Sequence, residues 1–151
     1  MNRIPVEIRL VQTNEELKQA FAVREAVYIV EQNIDREDEF DEFEPVCRHF
    51  VALQDGEAVG AARWRFTNEG IKLERFAVLA DFRKRGIASQ LVDEVIRDIK
   101  RHPKFNHQTL YLNAQWDVQP LYAQFGFKPV GDIFLECDIK HQRMEMSVPI
   151  V

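Results

Sequence analysis

Hydrophobic and polar residues alternate at the start of the chain, with Val6, Ile8 and Leu10 separated by Glu7 and Arg9. A period of two turns one face of a strand inward, so residues 6–10 are predicted as a half-buried strand. The pattern changes at Thr13. Thr13 and Glu16 stand at capping-box spacing, where a hydroxyl and a carboxylate satisfy the free amides of a helix start. Leu17, Phe21, Arg24 and Tyr28 then recur at helical spacing, which predicts a helix over about residues 14–31.

Three apolar runs follow: "HFVAL" at 49–53, "AVGAARWRF" at 58–66 and "IKLERFAV" at 71–78. Between the first two lies Asp55-Gly56, a pair suited to a turn whose central residues both need positive φ. Gly60 marks a candidate bulge. The segment 49–78 therefore reads as an antiparallel meander. Ile87, Leu91, Val92, Val95, Ile96 and Ile99 fall on one face of a helix predicted over 86–101, which Pro103 stops. "QTLYLNA" at 108–114 is a strand, and 118–125 is a short helix ended by Gly126. "FKPVGDIFLE" and "IKHQRMEMSVPI" are two closing strands. With no repeat, linker or low-complexity tract, residues 1–151 read as one domain of mixed α/β class. Helix 86–101 is its crossover between parallel neighbours.

Composition narrows the function. The chain has 20 basic and 25 acidic residues, a net charge of −5, which argues against a general nucleic-acid binder. No stretch approaches the roughly 18 apolar residues of a membrane span, and the first residues lack a signal-peptide run. A soluble cytoplasmic protein is expected, with Cys47 and Cys137 as reduced thiols. Cys47 and His49 lack the further partners of a zinc site, so no metal is expected.

Two charged segments stand out. Arg83-Lys84-Arg85-Gly86 opens helix 86–101, where free amides and the helix dipole favour an anion. Gly86 removes a Cβ from the approach, and Ala88 and Ser89 keep the first turn small, so the segment suits a phosphate or pyrophosphate. It matches neither a Walker loop nor a GxGxxG loop. Asp35, Glu37, Asp38, Glu39, Asp41, Glu42 and Glu44 form the opposite field. They read either as a solvated loop or as an attractor for a cationic amine.

Arg83-Lys84-Arg85-Gly86-Ile87-Ala88 resembles the (Arg/Gln)-x-x-Gly-x-(Gly/Ala) signature of the GNAT superfamily of acyl-CoA-dependent N-acyltransferases. Phe76-Ala77-Val78 before it and Leu121-Tyr122 and Gly126-Phe127 after it match the flanks of that signature. The order of elements also matches, so the resemblance covers nearly the whole chain. "YIVEQNID" and "NAQ…LYAQFGF" are similar to a bacterial subgroup of small acetyltransferases, the ElaA-like proteins.

The resemblance implies the GNAT fold, a mostly antiparallel sheet with one parallel pair splayed apart and helices on its flanks. It also implies transfer of an acetyl group from acetyl-CoA to a primary amine of a small molecule or peptide, without a metal. A non-catalytic acyl-CoA-binding module on the same fold is the alternative. Backbone groups of Phe76, Ala77 and Val78 would hold the pantetheine arm, and an amide near Val78 would stabilise an oxyanion. Arg83, Lys84, Arg85, Gly86, Ile87, Ala88 and Ser89 would take the pyrophosphate. Gln115 stands where the family often has a coenzyme-touching asparagine. Tyr122 matches the tyrosine that protonates the leaving thiolate. Glu74 is a candidate base, because strand alternation places it on one face with Phe76 and Val78; His141, on a closing strand, is the other. The resemblance also allows a homodimer.

Overall fold

The capping box forms as its spacing predicts. In the computed structural model, which describes residues 5–150, the Thr13 hydroxyl accepts from the Glu16 amide at 3.1 Å and Glu16 accepts from the Thr13 amide at 3.2 Å. This box starts α1, Asn14–Arg24. The helix then widens into a π-helical stretch, Glu25–Glu31, so the predicted single helix is present but changes pitch half-way. A short helix α2 (Arg36–Glu39) leads to the strands β2 (Arg48–Gln54), β3 (Glu57–Thr67) and β4 (Gly70–Val78), with β1 (Val6–Leu10) outside them. The long helix α3 is Ile87–Arg101; β5 (Leu110–Gln115), α4 (Gln119–Ala123), β6 (Lys128–Glu136) and β7 (Ile139–Met146) complete the chain.

The seven strands form one sheet in the order β1-β2-β3-β4-β5-β7-β6, all antiparallel except β4 with β5. Asp55 and Gly56 both take positive φ at the β2–β3 turn, as that hairpin requires. Beside Gly60, β3 carries one residue more than β2, so a bulge lies there. The turn between β6 and β7 uses the same geometry with Cys137 and Asp138, two residues that carry no glycine signal.

Helices cover both faces of the sheet. On one face, Ile87, Leu91, Val92, Val95, Ile96 and Ile99 of α3 are all buried, and they pack with Phe50, Trp64, Ile71, Leu73 and Leu112. Burial of each such side chain contributes about 1.5–3 kcal/mol. On the other face, Ala20, Val23 and Val27 pack against Val51, Ala61 and Ala77.

Two features of β4 shape everything that follows. It pairs with β5 only at Ile71–Leu110 and Lys72–Tyr111, and beyond these the two strands part. It also carries a bulge: Arg63 pairs with Glu74 and Ala61 with Ala77, so β4 has one residue more than β3 between these rungs. Arg75 sits at φ 60° within that step. The extra residue reverses the inside–outside alternation of the strand. Ile71 and Leu73 face the α3 side before it, whereas Phe76 and Val78 face that side after it.

The acidic segment is only partly a solvated surface: Glu39, Asp41 and Glu44 turn inward, whereas four of its carboxylates, Glu42 among them, stay exposed. Arg24, 1% exposed, binds Glu39 and Glu44 through their carboxylates at 2.8 Å each. Arg63, wholly buried, binds Asp41 at 2.7 Å, Glu44 at 2.8 Å and Glu74 at 3.0 Å. Arg75 reaches Glu39 at 3.1 Å and Asp41 at 3.3 Å. Three carboxylates of the segment therefore fold inward onto arginines from α1, β3 and β4. Burial alone would raise Asp41 and Glu44, but hydrogen bonds and charge from Arg63, and from Arg24 for Glu44, outweigh it and hold both at about 2. Asp35, Glu37 and Asp38 remain exposed.

Candidate active site

Where β4 and β5 part, a cavity of about 330 Å³ opens between them. Phe76, Ala77 and Val78 form one wall and Gln115 stands on the other. Val118, Leu121 and Tyr122 close it from the α4 side, Val27, Tyr28 and Gln32 from the π-helical stretch, and Arg83 and Ala88 from the start of α3. The parallel pairing forces this shape. Two rungs hold the strands at one end, and no further rungs join them at the other.

The mouth of the cavity is the N-terminus of α3. Gly86 caps the helix at φ 83° with no side-chain hydrogen bond, and no acidic residue occupies the first turn. The amides of Ile87, Ala88 and Ser89 therefore have no acceptor within the helix. A Cβ built on Gly86 would meet no atom within 4 Å, so the space above these amides is open. Lys84, at φ 62°, and Arg85 are exposed beside it, and the Arg85 guanidinium lies 5.2 Å from the Phe82 ring centre. These groups fit an anion.

Arg83 is committed differently from its neighbours. Its guanidinium forms a two-pronged pair with Glu31, 2.6 Å on one prong, and donates to the Val78 carbonyl at 2.9 Å. It ties the loop to the end of the π-helical stretch and so adds less free charge to the mouth than the sequence suggests. The same stretch makes two further ties. The Tyr28 hydroxyl donates to the Phe76 carbonyl at 2.6 Å, and Gln115 donates to Gln32 at 2.9 Å across the gap between the strands. Tyr28, Glu31 and Gln32 are thus site residues that sequence reasoning read as helix or as part of a motif. Their signal was the segment "YIVEQNID", which carried a resemblance but no role.

Tyr122 lines the cavity, packed edge-on against Phe76 and Phe127 at 5.7 and 6.2 Å between ring centres. Burial, with a smaller effect of Tyr28, pushes its phenol far above the ordinary tyrosine range, so it stays protonated and able to donate.

Glu74 does not join this group. The bulge at Arg75 turns it to the face opposite Phe76 and Val78, which corrects the expectation from simple alternation. There its carboxylate binds Arg63, Arg65 and Lys72 at 3.0–3.1 Å. Burial would raise it, but these cations outweigh burial and lower it. A carboxylate held by three cations and turned from the cleft is unsuited to accept a proton from a substrate.

His141 lies in a second, smaller cavity of about 90 Å³, which shares Tyr28 and Gln115 with the first. It pairs with Gln115 across the β5–β7 ladder and stacks on Phe134 at 5.8 Å. Its Nδ1 is 2.7 Å from the Ile139 carbonyl, an oxygen that can only accept. Nδ1 therefore carries the hydrogen in the neutral ring, and Nε2 keeps a lone pair. Among the described residues Nε2 has no hydrogen-bond partner; the Glu136 carboxylate is 3.9 Å away.

With this geometry in place, comparison with known proteins is decisive. The sequence matches the acetyltransferase (GNAT) domain family over residues 14–148. The chain belongs to the GNAT acetyltransferase family. Its similarity to an uncharacterized N-acetyltransferase, YjcF of Bacillus subtilis, is 34% identity over 89% of this chain and 95% of that one. The crystal structure of ElaA from Escherichia coli superposes with a TM-score of 0.81 at 25% identity, covering 93% of this chain and 99% of that one. This supports the ElaA-like assignment. A GNAT family acetyltransferase from Elizabethkingia anophelis, crystallised with acetyl-CoA bound, shares the fold at a TM-score of 0.65 and 16% identity, with 95% of this chain and 98% of that one covered. In this GNAT protein no group of three or more His, Cys, Asp or Glu among the described residues is placed to hold a metal. No helix among them is long and apolar enough to cross a membrane.

Proposed function

We propose that this GNAT protein transfers an acetyl group from acetyl-CoA to a primary amine. The observation that carries the reading is the adjacency of the two cavities, which share Tyr28 and Gln115 in their linings. One has an open helix N-terminus at its edge, and the other is lined by an imidazole whose Nε2 has no hydrogen-bond partner among the described residues. A relative of the same fold was crystallised with acetyl-CoA, which is consistent with the larger cavity as the coenzyme site.

In this reading the amides of Ile87, Ala88 and Ser89 bind the pyrophosphate, with Gly86 leaving the approach open and Lys84 and Arg85 adding field. Phe76, Ala77 and Val78 align the pantetheine arm along β4. The Phe76 and Val78 carbonyls already take donors from Tyr28 and Arg83, which fixes this edge of the strand before a ligand arrives. Gln115 orients the two ligands at the junction. His141 Nε2 accepts the proton of the attacking amine, and Tyr122 returns a proton to the departing sulfur. Glu74 takes no part. Acetyl-CoA supplies the acyl group, and coenzyme A leaves as the free thiol.

A thiol-release assay with acetyl-CoA and a panel of primary amines tests the proposal, with turnover expected for at least one class. Stabilisation by acetyl-CoA without thiol release from any amine would favour the non-catalytic module instead.

A further inference from the structure

The smaller cavity has a charge balance that the acetyl-transfer reading does not explain by itself. Asp38, Glu39 and Glu136 contribute three carboxylates to its lining, and Arg75 contributes one cation. The cation is already engaged. Its guanidinium binds the Glu39 and Asp41 carboxylates and the carbonyls of Asp38 and Glu39. Glu39 is in turn closed by Arg24 and Arg75. Asp38 and Glu136 are different. Among the described residues neither carboxylate pairs with a lysine or arginine, and both are open to the cavity rim.

The Cys137 thiol, at the turn between β6 and β7, feels the same field. Burial raises its pKa first, and Asp38, Glu136 and Asp35 push it further. An acidic rim alone would not define a ligand. The second observation is His141, 7% exposed, which lines this cavity and whose Nε2 has no hydrogen-bond partner among the described residues. A nitrogen with a free lone pair thus lies 3.9 Å from the Glu136 carboxylate, in a cavity also lined by Asp38, and neither carboxylate is paired with a lysine or arginine among the described residues.

Resting on the acetyl-transfer reading, we propose that the acceptor is a small diamine. One amine, in its neutral form, faces His141, and the second, as an ammonium, sits between Asp38 and Glu136. The fit is directional. A neutral alkyl tail leaves the two carboxylates as they are, whereas a tail ending in a carboxylate is repelled.

The test uses the full chain, acetyl-CoA and three four-carbon amines that differ at the far end: putrescine, n-butylamine and γ-aminobutyrate. At low salt, kcat/KM for putrescine is expected to exceed that for n-butylamine by at least about tenfold, with γ-aminobutyrate the poorest. Added salt narrows the preference. The double variant Asp38→Asn, Glu136→Gln brings the putrescine-to-butylamine ratio toward one. Neither side chain pairs with lysine or arginine among the described residues, so the variant should fold, which its stabilisation by acetyl-CoA verifies; Glu136 also lies 3.9 Å from His141 Nε2, so the ratio between the two amines, not the absolute rate, is the readout. Equal use of n-butylamine, preference for γ-aminobutyrate, or an unchanged ratio in the double variant overturns the diamine assignment and leaves acetyl transfer standing. Absence of thiol release with all three amines, and with the wider amine panel, removes both.

Discussion

The hydroxyl of Tyr28 donates to the main-chain carbonyl of Phe76 at 2.6 Å. One residue comes from the π-helical stretch and lines both cavities, the other from the strand edge that lines the larger. The bond ties the stretch to that edge, and Phe76 lies immediately past the bulge at Arg75, where β4 has left β5. Tyr28→Phe removes the donor and leaves the carbonyl unpaired. The expected loss is about 1–3 kcal/mol of stability, together with a raised KM for acetyl-CoA. Urea unfolding and steady-state kinetics check the two effects separately.

The inward fold of the acidic segment predicts a large effect far from the cleft. Arg63→Ala would take the wholly buried cation they share from Asp41, Glu44 and Glu74, leaving Arg75, Arg24, and Arg65 with Lys72 as their remaining partners. A loss of about 3–5 kcal/mol is expected. Arg97→Ala, which breaks the exposed pair with Asp93, should cost no more than about 0.5 kcal/mol. Chemical denaturation of both variants compares them directly.

The same network sets the response to acid. Asp41 and Glu44 are held at about 2 in the folded chain, below the ordinary carboxylate range. As pH falls, the unfolded chain takes up these protons first, so the stability they confer is complete above their unfolded pKa values and is lost on the way down to about 2. Urea midpoints should fall steeply between about pH 4.5 and about pH 2. Glu44→Gln should start lower near neutrality and fall less across that window.

Much of the architecture could be read from local patterns. The capping box at Thr13, the Asp55-Gly56 turn and the buried face of α3 each depend on residues a few positions apart, and each appears where its pattern predicts. The open start of α3 was legible for the same reason, since Gly86 and the amides after it lie within one helical turn. What escaped depends on distant partners or on a broken period. Glu74 was misplaced because one extra residue in β4 reverses the alternation, and no glycine or proline at Arg75 announces it. The acidic segment looked like surface because its cations, Arg24, Arg63 and Arg75, are remote in sequence. Tyr28 and Gln32 became site residues through a change of helical pitch that their sequence does not mark.

Gly86 separates a ligand role from a structural one. Gly86→Glu meets no protein atom at its Cβ but places a carboxylate over the free amides of α3 and strains a φ of 83°. Thermal stabilisation by acetyl-CoA should disappear, whereas the strain alone costs only about 1 kcal/mol. Stabilisation equal to that of the parent chain would mean that the pyrophosphate binds elsewhere.

The proton path has two ends. Tyr122→Phe should lower kcat by about 100-fold or more with a smaller change in KM. His141→Gln should lower kcat comparably, because the amide lacks a nitrogen that can accept the proton. Stopped-flow release of coenzyme A, compared with the affinity for acetyl-CoA, distinguishes these losses from weakened binding.

In the proposed reaction the two adjoining cavities bring acetyl-CoA and an amine together, with His141 taking the proton of the amine. The most direct measurement follows free thiol and acetylated amine together, in parent and His141→Gln chains, with acetyl-CoA saturating. The account predicts equal amounts of the two products from the parent chain and a large loss of both in the variant, with acetyl-CoA still bound. Thiol release without acetylated amine, or a variant as fast as the parent, would contradict it.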